Sequence, residues 1–157
     1  MVDHNQEPLI IIASNRGPFS FKAKEDGSFE VERGAGGLVT ALTALAQKHE
    51  VVWVAASMGG GDTLWAEQHQ DDLPEVEGIY LKLINPDLEH YDRYYNQISN
   101  PLLWFIQHQL WNIVSDPVID EQTWQAWEEG YMPINELFAE TIAKAMPDSD
   151  RPVIILI

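Results

Sequence analysis

The segment Leu9-Ile10-Ile11-Ile12-Ala13-Ser14-Asn15-Arg16-Gly17-Pro18 joins a continuous apolar, β-branched run to a polar turn that carries an arginine. Such a run suits a central parallel strand covered on both faces. It therefore predicts Arg16 at the carboxyl end of a strand, where open α/β sheets bind ligands. Downstream, Arg33-Gly34-Ala35-Gly36-Gly37-Leu38 opens a helix-like run from Val39 to Lys48. The unpaired N–H groups at a helix start carry partial positive charge, and glycine lets a phosphate approach them. Arg16 with Gly36 and Gly37 is thus a candidate anion site. Gly36-Gly37 fits equally a tight turn that packs a helix on a sheet. The spacing is not the dinucleotide fingerprint G-x-G-x-x-G, because Val39 stands where the third glycine belongs.

Around these two motifs the chain alternates strand-like and helix-like segments. Phe19 to Lys24 and Phe29 to Arg33 each alternate apolar and polar residues, with Asp26-Gly27 between them. That predicts a β-hairpin. It is expected to project as a flap between Arg16 and the glycines, or to be a surface ornament. Leu38, Ala41, Leu42 and Leu45 recur at helical spacing over 37–48. Val51 to Ala56 reads as a second buried strand, with Gly59-Gly60-Gly61 as a flexible loop at its end. Thr63 to Gln70 reads as a short helix and Gly78 to Ile84 as a third strand nearer an edge. Beyond Asn85-Pro86 the pattern turns helical and aromatic. Pro101 lacks an N–H and predicts two helices, over 87–98 and 101–112, with Ser99-Asn100 as the second N-cap. Asp120 to Glu128 and Tyr131 to Met146 read as further helices. Val153-Ile154-Ile155-Leu156-Ile157 reads as a fourth buried parallel strand, with nothing after it. The expectation is one α/β domain, 1–157, with a Rossmann-like, open, mostly parallel sheet flanked by helices, a hairpin insertion, and a chain cut in mid-fold. An open sheet edge invites association, so a homo-oligomer is expected.

Composition limits the function classes. The 157 residues are 45% hydrophobic and 22% charged, a balance suited to a soluble globular domain. A net charge of -16 opposes general binding to nucleic acid or to an anionic membrane. Cysteine is absent, so there is neither a disulfide framework nor a thiolate metal site, as suits a cytoplasmic protein. His4, His49, His69, His90 and His108 make no metal-type spacing. No nucleophile elbow and no G-x-x-x-x-G-K-[ST] loop occur. Spacing singles out no catalytic residue. What remains is a recognition surface: Arg16 for a phosphate, the glycine N–H groups, and Tyr95 and Trp104 as aromatic faces with polar handles. Core packing is the plainer role for those two aromatics.

The motifs Ser14-Asn15-Arg16, Gly36-Gly37-Leu38, Tyr94-Tyr95-Asn96-Gln97-Ile98-Ser99-Asn100-Pro101-Leu102-Leu103-Trp104 and Tyr131-Met132-Pro133-Ile134-Asn135-Glu136-Leu137-Phe138-Ala139 stand in this order. Together they resemble the N-terminal half of retaining glycosyltransferases of the trehalose-6-phosphate synthase family. The resemblance implies a GT-B fold, with this chain on the acceptor side and the C-terminal donor-binding domain missing from it. It implies transfer of glucose from UDP-glucose, or a related nucleotide sugar, to glucose-6-phosphate with retention, as a step of trehalose biosynthesis. Arg16 matches the arginine that binds the acceptor phosphate. Tyr95 and Trp104 match the aromatics that line the acceptor site, and Gly37, next to Gly36, the glycine that meets the donor diphosphate. Neither metal nor cofactor is implied.

Two departures stand out. Ala55-Ala56 replaces a Gly-Trp pair, which removes an aromatic wall from the acceptor site. The family's Asp-Tyr-His motif is absent. Two further readings follow: a non-catalytic sugar-phosphate-binding module, or a relative that uses another phosphorylated polyol or cyclitol. The isolated chain is expected not to turn over. Incubation with UDP-glucose and glucose-6-phosphate should yield no trehalose-6-phosphate; its formation would refute the expectation.

Overall fold

The computed structural model of the chain describes residues 7–34, 37–108 and 118–157. It divides into two units. One runs up to Asn85 and takes in Glu140–Ile157; the other is Pro86–Ala139.

The first unit is built on a five-stranded sheet. Its strands are β1 (Leu9–Ser14), β4 (Val51–Ala56), β5 (Glu75–Val76), β6 (Ile79–Ile84) and β7 (Val153–Leu156), in the order β5-β6-β4-β1-β7. β1 pairs in parallel with β4 on one side and β7 on the other, and β4 pairs in parallel with β6. Only the two-residue β5 runs antiparallel. The apolar runs form the central strands because both of their faces are covered. Every residue of β4 is buried, as are Leu9 to Ala13 of β1. From β1 the chain moves to β4 and then β6 on one side, and later returns to β7 on the other. The direction of winding therefore reverses at β1, and open sheets bind ligands at such switch points.

β7 differs from its expectation. It is parallel, but it is an edge strand and half exposed, with Ile154 and Ile155 partly open to solvent. Its apolar composition marked it as a strand; only its place beside β1 decides how much is covered. β5 has no counterpart among the expected elements, being too short to show a period.

The hairpin forms as expected from β2 (Phe19–Ala23) and β3 (Phe29–Arg33), with Gly27 at φ 81° in the turn. It is not a free flap, however. Phe19 and Phe21 of β2 are buried in the core, whereas β3 is exposed except for Phe29, which packs half-buried against that core. Phe21 stacks on Trp65 of α2 (Gly60–Gln68) at 4.3 Å between ring centroids. The triple glycine is not a loop either, since Gly60 and Gly61 form the first turn of α2. A Cβ on Gly61 would collide with the Phe21 carbonyl and lie 2.8 Å from its carbon, so the glycine exists to let helix and strand meet. α1 (Gly37–Ala46) packs Leu42, Leu45 and Ala46 on the same core.

The second unit is helical. α3 (Leu88–Asp92) is capped by Asp87, which accepts from Glu89 N at 2.9 Å and His90 N at 3.1 Å. The N–H groups of His90 and Glu89 hold the Asp87 carboxyl below the usual carboxylate range. α3 runs into a π-helical segment, Arg93–Leu103, and on into α4 (Trp104–Gln107). The break expected at Pro101 is thus absent, and Ser99-Asn100 is no N-cap: Pro101 lies inside the π segment. In an α-helix the proline ring meets the carbonyl four residues back. The wider i→i+5 turn shifts that carbonyl aside. The part of the expected second helix over 109–112 lies outside the described residues. α5 (Glu121–Ala126), with a capping box between Asp120 and Thr123, leads into a second π segment, Trp127–Tyr131, and then α6 (Met132–Ala145), whose residues from Glu140 on belong to the first unit.

Ile98, Leu102 and Ala126 form this unit's small core, flanked by Trp127 and Tyr131. Arg93 ties its helices by ion pairs to Glu89 and Glu129, each at 2.8 Å. The two π segments pack closely at Gly130, where a Cβ would collide with the Arg93 side chain and lie 2.8 Å from Tyr94 N. Gly130→Ala should therefore destabilise by about 1–3 kcal/mol, the usual cost of overpacking. Thermal unfolding should register this as a loss of roughly 2–4 °C per kcal/mol. Gly59→Ala, with open space around its Cβ, is the control and should shift the midpoint far less.

Candidate functional site

The site begins with how Arg16 is held. β1 ends at Ser14, opposite Ala55 of β4. The Ser14 hydroxyl donates to the Arg16 carbonyl at 2.8 Å and accepts from Trp53 Nε1 at 2.8 Å. Trp53 is fully buried, and its indole N–H needs a partner there. Ala56 N donates to the Asn15 carbonyl at 3.3 Å, which carries the β1–β4 pairing one step beyond the strand. The backbone is therefore held at the Arg16 carbonyl and at the Asn15 carbonyl before it, while the Arg16 side chain is exposed.

The other arginines are ion-paired: Arg33 with Glu77 at 2.7 Å, Arg93 with Glu89 and Glu129, and Arg151 with Glu50 at 2.7 Å. Among the described residues, Arg16 has no carboxylate within ion-pair distance. It lines a cavity of about 280 Å³ together with Gly17, Phe19, Ser20, Ala56, Met58 and Asp62. That volume is close to the lower end of small-ligand sites, about 300 Å³. The cavity lies at the carboxyl ends of β1 and β4, at the switch point of the sheet.

Asp62 was not expected from the sequence. Among the described residues it is the buried polar one, 5% exposed. One carboxylate oxygen accepts from Phe21 N at 2.7 Å and the other from Met58 N at 3.0 Å. Nothing in a chain with 25 acidic residues singles it out; the nearest signal is its place directly after three glycines.

Gly37 begins α1 and is exposed, with open space where a Cβ would stand. Gly36 lies outside the described residues. Tyr95 and Trp104 belong to the second unit. Tyr95 is half-buried and stacks on Tyr91, at 6.1 Å and 6° between ring planes. Trp104 is 49% exposed and stacks on His108 at 4.3 Å. Among the described residues, neither is part of the cluster of Ile98, Leu102 and Ala126. Asn96 and Gln97 turn back to Asp92, at 2.7 and 3.2 Å, and so brace the helix that carries both aromatics.

The profile of Glycosyltransferase family 20 matches residues 8–156. The alpha,alpha-trehalose-phosphate synthase (UDP-forming) of Botryotinia fuckeliana is 31% identical over 141 residues, covering 90% of this chain and 25% of its own length. The Schizosaccharomyces pombe protein of the same name is 30% identical, covering 94% of this chain and 27% of its own length. This chain thus spans about a quarter of the length of the relatives it matches. Among solved structures, "Trehalose-6-phosphate from E. coli bound with UDP-2-fluoro glucose" superposes over 94% of this chain and 26% of its own, with a TM-score of 0.59 and 21% identity. The alpha,alpha-trehalose-phosphate synthase (UDP-forming) of Burkholderia vietnamiensis gives a TM-score of 0.58 at 15% identity, over 95% of this chain and 26% of its own. These likenesses match the mostly parallel sheet and its flanking helices to the GT-B fold. With the family profile spanning nearly all of its residues, the chain belongs to glycosyltransferase family 20.

Proposed function

We propose that this chain is the acceptor-side part of a trehalose-6-phosphate synthase-like glycosyltransferase. It serves transfer of glucose from UDP-glucose to glucose-6-phosphate with retention. The bond from glucose to the diphosphate breaks, a bond to the acceptor oxygen forms, the acceptor hydroxyl gives up its proton, and UDP leaves with that proton passing to its phosphate oxygen or to solvent. Arg16 takes the acceptor's phosphate. Tyr95 and Trp104 line the sugar, and the N–H groups at Gly36 and Gly37 meet the donor diphosphate. The observation that carries this reading is Arg16 itself. It is exposed, without a carboxylate partner among the described residues, and it lines a cavity at the carboxyl end of β1. An unpaired guanidinium at that position offers a planar fork to an oxyanion.

A second reading concerns the acceptor alone. Ala55 and Ala56 are both buried, and Ala56 lines the cavity where an aromatic residue would supply a wall. That favours a phosphorylated polyol or cyclitol in place of glucose-6-phosphate, with the same phosphate contact.

Titration of the chain with glucose-6-phosphate, myo-inositol phosphate and glycerol phosphate separates the two readings by rank of affinity. Arg16→Ala should weaken the best of them by about 1.5–3 kcal/mol, roughly 10- to 150-fold. Unchanged binding in that variant would remove Arg16 from the site.

A further inference from the structure

We infer that Asp62 is a positioning residue of the Arg16 cavity, joining β2 and the loop after β4 so that the cavity is formed before any ligand arrives. Its bearing on sugar-phosphate binding rests on the acceptor reading of that cavity.

The hairpin supplies the first argument. Cross-strand bonds run from Gly34 N to the Pro18 carbonyl at 2.7 Å and from Lys24 N to the Ser28 carbonyl at 2.8 Å. Antiparallel ladders alternate bonded and non-bonded pairs. Even-numbered residues of β2 therefore face β3 with their peptide groups, and Phe21 turns its N–H outward. A buried N–H left unpaired costs free energy, and the Asp62 carboxylate is its acceptor. The second oxygen reaches Met58 N, beyond the end of β4. One side chain thus holds two walls of the cavity, from a third segment, the first turn of α2.

Charge supplies the second. A buried carboxylate next to a cavity that holds an arginine would ordinarily pair with it. Here two backbone N–H groups satisfy Asp62, and the positive end of α2 stabilises it further. No ion pair links it to Arg16 among the described residues. The guanidinium stays available although an acid lines the same cavity. A phosphate at Arg16 would feel mild repulsion from Asp62, so electrostatics alone predict tighter anion binding when the charge is removed. Positioning predicts the reverse. Asparagine keeps the shape but offers one acceptor oxygen, and its NH₂ group would face the N–H of Met58 or Phe21.

The test is a double-mutant cycle of Asp62→Asn and Arg16→Ala, read by NMR titration with glucose-6-phosphate, together with amide hydrogen exchange on the ligand-free wild type. In the exchange experiment the Phe21 and Met58 amides should be protected; exchange at the rate of open loops would overturn the proposal. In the cycle, Asp62→Asn should weaken binding about tenfold beside Arg16 and far less in the Arg16→Ala background, because coupled residues are non-additive. Equal losses in both backgrounds, or tighter binding in Asp62→Asn, would overturn it. Should Asp62→Asn not fold, the wild-type amides decide. Should the wild type bind no sugar phosphate, the acceptor reading fails, and the amides still judge the joint.

Discussion

The buried indole N–H of Trp53 has to find an acceptor, and the one it finds is the Ser14 hydroxyl at the end of β1. That hydroxyl in turn donates to the Arg16 carbonyl. The core therefore reaches out through a chain of two hydrogen bonds and fixes the second residue beyond the strand. An arginine on an untethered loop would lose conformational entropy on meeting an anion. Here the backbone part of that cost falls on folding. Hydrophobic burial of a tryptophan and placement of the Arg16 backbone are thus one event.

The same economy shapes the rest of the cavity. Phe21 contributes its ring to a stack with Trp65 and its N–H to Asp62, while its carbonyl lies where only a glycine at 61 could face it. Three kinds of interaction converge on one residue of β2. The hairpin is consequently two things at once: its inner strand belongs to the core, and its outer strand is surface. An alternating pattern such as Phe19-Ser20-Phe21-Lys22 announces a strand with one covered face. It does not say which element covers it.

That distinction separates what was legible from what was not. β1 and β4 could be read because continuous apolar runs have few alternatives outside a membrane, and the position of Arg16 could be read because it follows one of them. α1 and α6 were legible from helical spacing, and their bounds moved by a residue or two. The glycines at 59–61 misled because flexibility is only one reason for glycine; close approach is another, and it depends on Phe21, forty residues earlier in the chain. Pro101 misled for a related reason. Proline excludes an α turn, but the π register accommodates it, and π register has no compositional sign. Asp62 was hidden by numbers: in so acidic a sequence, a carboxylate with a structural task looks like the many that only keep the surface charged.

What finally distinguishes the Arg16 cavity is the treatment of its two charges. In a chain this acidic, every arginine is under pressure to pair, and Arg33, Arg93 and Arg151 have done so. Keeping Arg16 apart therefore needs a positive arrangement, not mere distance from acids. The fold supplies it by satisfying the nearest buried acid from the backbone and by ending β1 with a hydroxyl in place of a carboxylate. Both devices act on the protein side of the cavity and leave the Arg16 guanidinium without a carboxylate partner among the described residues. An unpaired guanidinium leaves the free chain an unmet attraction; under the acceptor reading proposed above, an anionic ligand would recover it on binding.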